Sequence, residues 1–170
     1  MRLKSLKLTN FQGIRDFTLD ANLKDCEIRG ANAAGKTTIF SAFCFLLYGL
    51  DSTGKIFLPK SIDETGEAKH GVDSSVEAVF VDDNGQTFTL KKVFKEVWRR
   101  KHGSPKKIFT GHSTAHFWDS VSITEKEYKR RLTEIAPESV LKLLVNTRYF
   151  SETLHWQKRR EILLDICGNV

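Results

Sequence analysis

The sequence is short of several things, and each shortage excludes a class of protein. Only 3 of its 170 residues are cysteines, Cys26, Cys44 and Cys167, far apart and with no CxxC pair. That argues against a disulfide scaffold and predicts reduced thiols, mostly filling the core of a cytoplasmic protein. No apolar run approaches the ~18 residues of a membrane span. The longest, Ile39 to Tyr48, is interrupted by Ser41. The opening MRLKSLKLTNF is basic but lacks an apolar core, so it does not read as a secretion signal. Internal repeats and low-complexity tracts are absent as well. What is present suits a single folded domain: 40% of residues are hydrophobic, and a chain of this length can bury roughly 70% of its unfolded surface.

The net charge is +6, and its position matters more than its size. From Lys91 to Lys107 stand eight Lys or Arg and one acid, Glu96, so this segment carries +7 and the rest of the chain −1. Lys95, Arg99, Arg100, Lys101, Lys106 and Lys107 are the candidate nucleic-acid contacts, because clustered cations attract a polyanion at long range. Trp98 beside them could stack on a base. A solvated hairpin whose lysines discourage edge pairing explains the same cluster, and the sequence leaves both readings open.

Along the chain, Arg2–Phe11 and Ile14–Leu19 read as two short strands joined by a turn at Gln12-Gly13, and Asp25–Arg29 as a third running into Gly30. Lys36 to Tyr48 is apolar on nearly every face, which predicts a buried helix stopped by Gly49. Residues 50–71 read as a long loop. Residues 72–98 form a hairpin, with Asn84-Gly85 as a tight two-residue turn. Residues 99–120 read as a flexible basic insertion. Thr124 and Glu127 make a capping box, and residues 124–168 are expected to be helical.

One motif carries chemistry. Gly30-Ala31-Asn32-Ala33-Ala34-Gly35-Lys36-Thr37 fits GxxxxGK[ST], with a predicted strand before it and a helix after it. Small residues let the backbone approach phosphate oxygens, and successive N–H groups make an anion site. Lys36 would reach the β- and γ-phosphates, the Thr37 hydroxyl would ligate Mg²⁺, and Thr38 would donate near the α-phosphate. ATP and Mg²⁺ are therefore the expected ligands.

The flanks narrow the family. Leu6-x-Leu8-x-Asn10-Phe11-x-Gly13-Ile14 opens the chain, and GANAAGKTTIFSAFCFLLYG follows after two strands. This resembles the start of the SMC-like repair and recombination ATPases. The segments His116-Phe-Trp-Asp119, Arg148-Tyr-Phe150, His155-Trp156 and Arg159-Arg160-Glu-Ile-Leu163-Leu164 resemble a phage and bacterial branch of that group. The resemblance implies an α/β P-loop NTPase fold, a mixed sheet with an antiparallel subsheet, forming the N-terminal lobe of an ABC/SMC-type head over residues 1–170. It implies that Gly30, Asn32, Ala33, Ala34, Gly35, Lys36, Thr37 and Thr38 hold the nucleotide, with Lys36 in the catalytic role. Gln12 falls where the family often has a basic residue near the nucleotide, and Ala33 where it usually has glycine. The family's Q-loop glutamine belongs near Tyr149 to Ser151, where there is none; Gln157 follows a few residues later. The resemblance also implies DNA as partner, a nucleotide-dependent homodimer, an associated nuclease, and a coiled coil and C-terminal lobe carrying the Walker B acid, catalytic glutamate and signature. Hydrolysis is then expected only in the completed assembly.

Competing assignments have specific tests. Ala78-Val-Phe-Val-Asp82-Asp83 could be a Walker B strand, but Asn84-Gly85 points to a hairpin tip. Asp82-x-x-Gly85 matches the GTPase DxxG, yet no [NT]KxD selects guanine. A small-molecule kinase is disfavoured by the antiparallel strands ahead of the P-loop. A nucleotide-regulated nucleic-acid-binding module that does not hydrolyse remains the main alternative. His112 and His116 stand four apart but lack an HExxH glutamate, and Trp156 is expected to pack beneath its helix.

Overall fold

The computed structural model describes residues 1–63, 65–100, 107–146 and 148–168. A first hairpin pairs β1 (Arg2–Phe11) with β2 (Ile14–Asp20), and α1 (Lys36–Tyr48) follows the P-loop. β3 (Ser74–Val81), β4 (Thr87–Arg100), β5 (Lys107–Trp118) and β6 (Val121–Ile123) complete one sheet of order β2-β1-β3-β4-β5-β6. The chain ends in α2 (Glu125–Ile135), α3 (Glu138–Val145), a π-helical turn (Tyr149–Thr153) and α4 (Trp156–Cys167).

Period-two alternation makes the sheet amphipathic. Leu6 and Leu8 of β1, Val76, Ala78 and Phe80 of β3, and Leu90 of β4 are all buried on one face. The opposite face carries polar pairs such as Lys91 and Glu77, facing each other across the strands at 2.8 Å. α1 lies on the apolar face. Ile39, Ala42, Cys44, Phe45, Leu46 and Leu47 bury it almost all round, as an apolar helix without a polar stripe requires. α2 covers the far end of α1 with Tyr128 and Leu132, one turn apart.

The C-terminal end of α1 is closed by three donors. The Gly49 N–H bonds the Phe45 carbonyl at 3.0 Å with Gly49 at φ 80°. The Lys92 ammonium, reaching up from β4, donates to the same carbonyl at 2.8 Å, and the Tyr128 hydroxyl donates to Leu46 O at 2.9 Å. α1 has no basic residue in its own last turn. Lys92 therefore supplies from the sheet the cation that the negative end of the helix dipole favours.

The antiparallel subsheet is as expected, and every strand pair among the described residues is antiparallel. The parallel part of a mixed sheet would begin at Asp25–Arg29. That segment is exposed coil, because no neighbouring strand among the described residues takes up its N–H and C=O groups. The β3–β4 turn also differs. Asp82 N–H bonds Gln86 O and only Gly85 has positive φ, 80°, so the loop is the three-residue type with one left-handed glycine. The largest correction concerns residues 107–118, which form strand β5 along β4 instead of a flexible insertion. Gly111 lies at a bulge in that strand, opposite Val97. Of the cysteines only Cys44 is core; Cys26 and Cys167 are exposed. Trp156 is 58% exposed and is not packed beneath its helix.

Candidate functional site

The P-loop turns from Gly30 into α1. Ala34 N–H bonds Ala31 O at 3.3 Å, Ala33 lies at φ 64°, and Gly35 caps the helix at φ 89°. A Cβ on Gly35 would make only ordinary contact with Ile14 Cδ1 at 3.4 Å, so it is the left-handed dihedral that favours glycine. Ala33 adopts the left-handed region at a cost of about 1 kcal/mol, the strain implied by alanine at a usual glycine position. The first turn of α1 carries no acidic residue, so its unpaired N–H groups and the positive end of the dipole meet no competing carboxylate.

Lys36 closes the loop on itself. Its Nζ donates to Gly30 O at 2.7 Å and to Ala31 O at 2.6 Å. An ammonium has three donors, so one remains for an anion in the loop. Thr38 lines a cleft of about 490 Å³ together with Ala33, Ala34, Gly35, Gly13 and Gln12. Gln12, at φ 50°, is strapped by its backbone to the 59–62 loop: its N–H reaches Pro59 O at 3.4 Å and its O accepts from Ile62 N–H at 3.0 Å. Gln12, Gly13 and Ile62 also border a second, polar cleft of about 270 Å³ that contains Arg15 and Lys69. These two cations beside the neutral Gln12 were not singled out from the sequence, since β2 and the long loop meet only in the fold.

On the other side of the P-loop, Thr37 lines a cleft of about 220 Å³ with Ser52, Thr53, Asn146 and Arg148. Asn146 is 3% exposed, and its side-chain oxygen accepts from Arg148 N–H at 3.0 Å. Its amide N–H₂ is a ready donor for this cleft. The segment Tyr149–Ser151 is π-helical, and Gln157 lies on α4 beside His155 and Arg160 in a separate groove. The side-chain amide that shares a cleft with Thr37 is therefore Asn146, at the C-terminal cap of α3.

The basic residues fall elsewhere. Lys95, Arg99 and Arg100 lie on β4 and Lys107 opens β5, so one ribbon holds these four. Lys101 and Lys106 lie outside the described residues. At the ribbon's base, Glu96 accepts from Lys60, His70, the Gly71 N–H and the Trp98 indole N–H. Lys60 is the main cause that holds the Glu96 carboxyl down to about 2, against the opposing effect of desolvation. Burial pushes Lys92 down to about 7 and His116 to about 4, with the Lys92 charge adding to the His116 shift.

Asp82 has a structural task. Its Oδ1 accepts from Asn84 and Gln86 N–H at 2.9 and 2.7 Å, and Asp83 pairs with the N-terminal ammonium at 2.9 Å. Val81 faces Arg2 at the start of β1, whereas the P-loop cleft lies at its far end, roughly 30 Å along a 10-residue strand. Walker B and DxxG roles at Asp82 are excluded by that separation. His112 and His116 sit on β5, and no cluster of metal-ligating side chains occurs among the described residues.

A protein-family model described as an AAA domain matches residues 5–168, nearly the whole chain. The chain belongs to the AAA domain family. This AAA domain is of the SMC-like ABC ATPase type, the kind that its opening strands and P-loop flank resemble. A search of curated proteins gives no match. Among solved structures, the AAA domain is similar to the recombination mediator protein RecF with ATP, in the RecFOR pathway, with a TM-score of 0.48 and 16% identity. That alignment covers 75% of this chain and 29% of the RecF chain, so the AAA domain spans less than a third of that protein's length. No helix among the described residues is long and apolar enough to cross a membrane.

Proposed function

We propose that this domain binds MgATP as the N-terminal lobe of a composite ATPase that acts on DNA in repair, recombination or replication. The observation that carries the reading is the P-loop end of α1: a Gly-rich turn with no acid in the first helical turn, closed by Lys36. The backbone of Gly30, Asn32, Ala33, Ala34 and Gly35 would wrap the phosphates. Lys36 would donate its third proton to the β- and γ-phosphates, Thr37 would hold Mg²⁺, and Thr38 would donate to the α-phosphate. Gln12 and Arg15 would flank the nucleoside side. Asn146 would take the γ-phosphate-sensing position on the Thr37 side.

Among the described residues, neither cleft that touches the P-loop is lined by a carboxylate. A water attacking the γ-phosphate would therefore find no general base here. Hydrolysis is proposed to need an acid from a C-terminal lobe and closure with a second copy. Exposed, unpaired Asp25–Arg29 supports this, since a strand ahead of the P-loop needs neighbours that this lobe does not supply. Steady-state phosphate release by the chain should be near background. Turnover at ordinary enzyme rates, about 1 s⁻¹ or more, abolished by Lys36→Ala would show that the chain is catalytically complete.

A second reading, a nucleic-acid-binding module with only regulatory nucleotide, draws on the four cations gathered on the β4–β5 ribbon. It predicts salt-dependent DNA binding that is unchanged in Lys36→Ala.

A further inference from the structure

The β4–β5 ribbon outruns the sheet. β3 stops pairing at Ser74 opposite Phe94, and beyond it β4 pairs with β5 alone. Ser75 is also opposite Thr9, near the end of β1, so the ribbon leaves the sheet at the edge where the nucleotide cleft lies.

A bulge decides what this ribbon presents. Val97 faces Gly111 while Trp98 faces Phe109, so Thr110 is an extra residue on β5, and its hydroxyl ties back to Val97 O at 2.9 Å. Without it, Phe109 and His112, an odd number apart, would point to opposite faces. With it they meet, at 5.0 Å between ring centroids, and Phe109 also meets Trp98 at 5.6 Å. Trp98 and Phe109 lie edge to face, at 65°, and remain 43% and 39% exposed. The Trp98 indole N–H is fixed on Glu96 at 2.8 Å, which holds the ring as a rigid platform. Arg100 and Lys107, paired with each other, continue the same face outward, while Lys95 and Arg99 occupy the reverse. Among the described residues none of these four cations is engaged in an ion pair, and the Glu96 charge is spent on Lys60.

We infer that this face binds single-stranded nucleic acid, with bases stacking on Trp98 and Phe109 and the backbone running past Arg100 and Lys107. The inference rests on the proposal that the domain works on DNA and names the form it takes. Partly exposed aromatic rings beside unpaired cations match unstacked bases on a phosphate chain. A duplex offers no base face to a ring without being opened, and an apolar protein partner gives no use for the flanking cations.

The test is fluorescence anisotropy of a labelled oligo-dT and of a duplex of equal length, titrated with the chain and its variants at fixed salt. Binding should favour the single strand. Trp98→Ala and Phe109→Ala should each weaken it roughly 5- to 150-fold, while Trp98→Phe, which keeps a smaller stacking ring and loses the bond to Glu96, stays within a few-fold. Circular dichroism and MgATP titration on the same samples report whether the variants fold. Binding of duplex and single strand alike, indifferent to Trp98→Ala but lost with Arg100→Glu, would overturn the stacking inference and leave DNA as the substrate. Binding of neither oligonucleotide would overturn both.

Discussion

Lys92 is a buried ammonium whose cost can be measured. Its side chain sits between α1 and α2, 4% exposed, with the Phe45 and Tyr128 rings 5.3 and 5.0 Å from its Nζ. Glu125 and Glu138 favour its charge, Lys129 opposes it, and burial outweighs all of them, leaving a pKa of about 7. The unfolded chain holds this proton to about 10.4. Between the two values the unfolded state binds more protons, so stability rises with pH. The proton is half gone from the folded state at pH 7, and each further pH unit adds up to ~1.4 kcal/mol, or about 2 kcal/mol between pH 7 and 9. Lys92→Met keeps most of the stem and removes the charge. Urea unfolding of both proteins at pH 7, 8 and 9 should show the wild type gaining about 2 kcal/mol on the variant across this window. His116 titrates below the window, and Tyr48 and Tyr128 are both raised by burial and stay protonated within it. A difference flat to within about 0.5 kcal/mol would refute the reasoning. It would mean that the Phe45 carbonyl and two ring faces compensate the ammonium for lost water.

Other consequences follow from the site. Asn146→Ala should lower the preference for ATP over ADP about tenfold, because a donor to a charged oxygen is lost, and paired calorimetric titrations read it. Thr37→Ala should remove most of the Mg²⁺ dependence of ATP binding while Thr37→Ser retains it, measured by titration with and without EDTA. Glu96 has a folded pKa lowered to about 2, so its contribution is complete above about 4.5 and lost as pH falls toward 2. In Glu96→Gln that acid-dependent part of the unfolding curve should disappear, as seen by circular dichroism between pH 5 and 2.

The elements that were legible in the sequence are those whose signals are local. The P-loop is a string of backbone requirements, and α1 announces itself by being apolar all round. Thr124 caps α2 through the Glu127 N–H as its spacing implies. Legibility failed where partners are distant. Asp25–Arg29 has the composition of a strand, but a strand is defined by its neighbours, and among the described residues none pairs with it. β5 was obscured by Gly111 and Pro105, and its pairing with a 14-residue β4 could be known only from the register. Asn146 was overlooked because the sequence directs attention to a glutamine a few residues later. Nothing local shows that the cap of α3 and Thr37 share a cleft.

The most direct test of the central claim is calorimetric titration of MgATP and MgGTP into the chain and into Lys36→Ala. ATP should bind, GTP no better, and the variant should lose roughly 10- to 150-fold in affinity, the worth of a charge-assisted bond to phosphate. ATP binding that is unchanged in Lys36→Ala would place the nucleotide elsewhere and contradict the site described above.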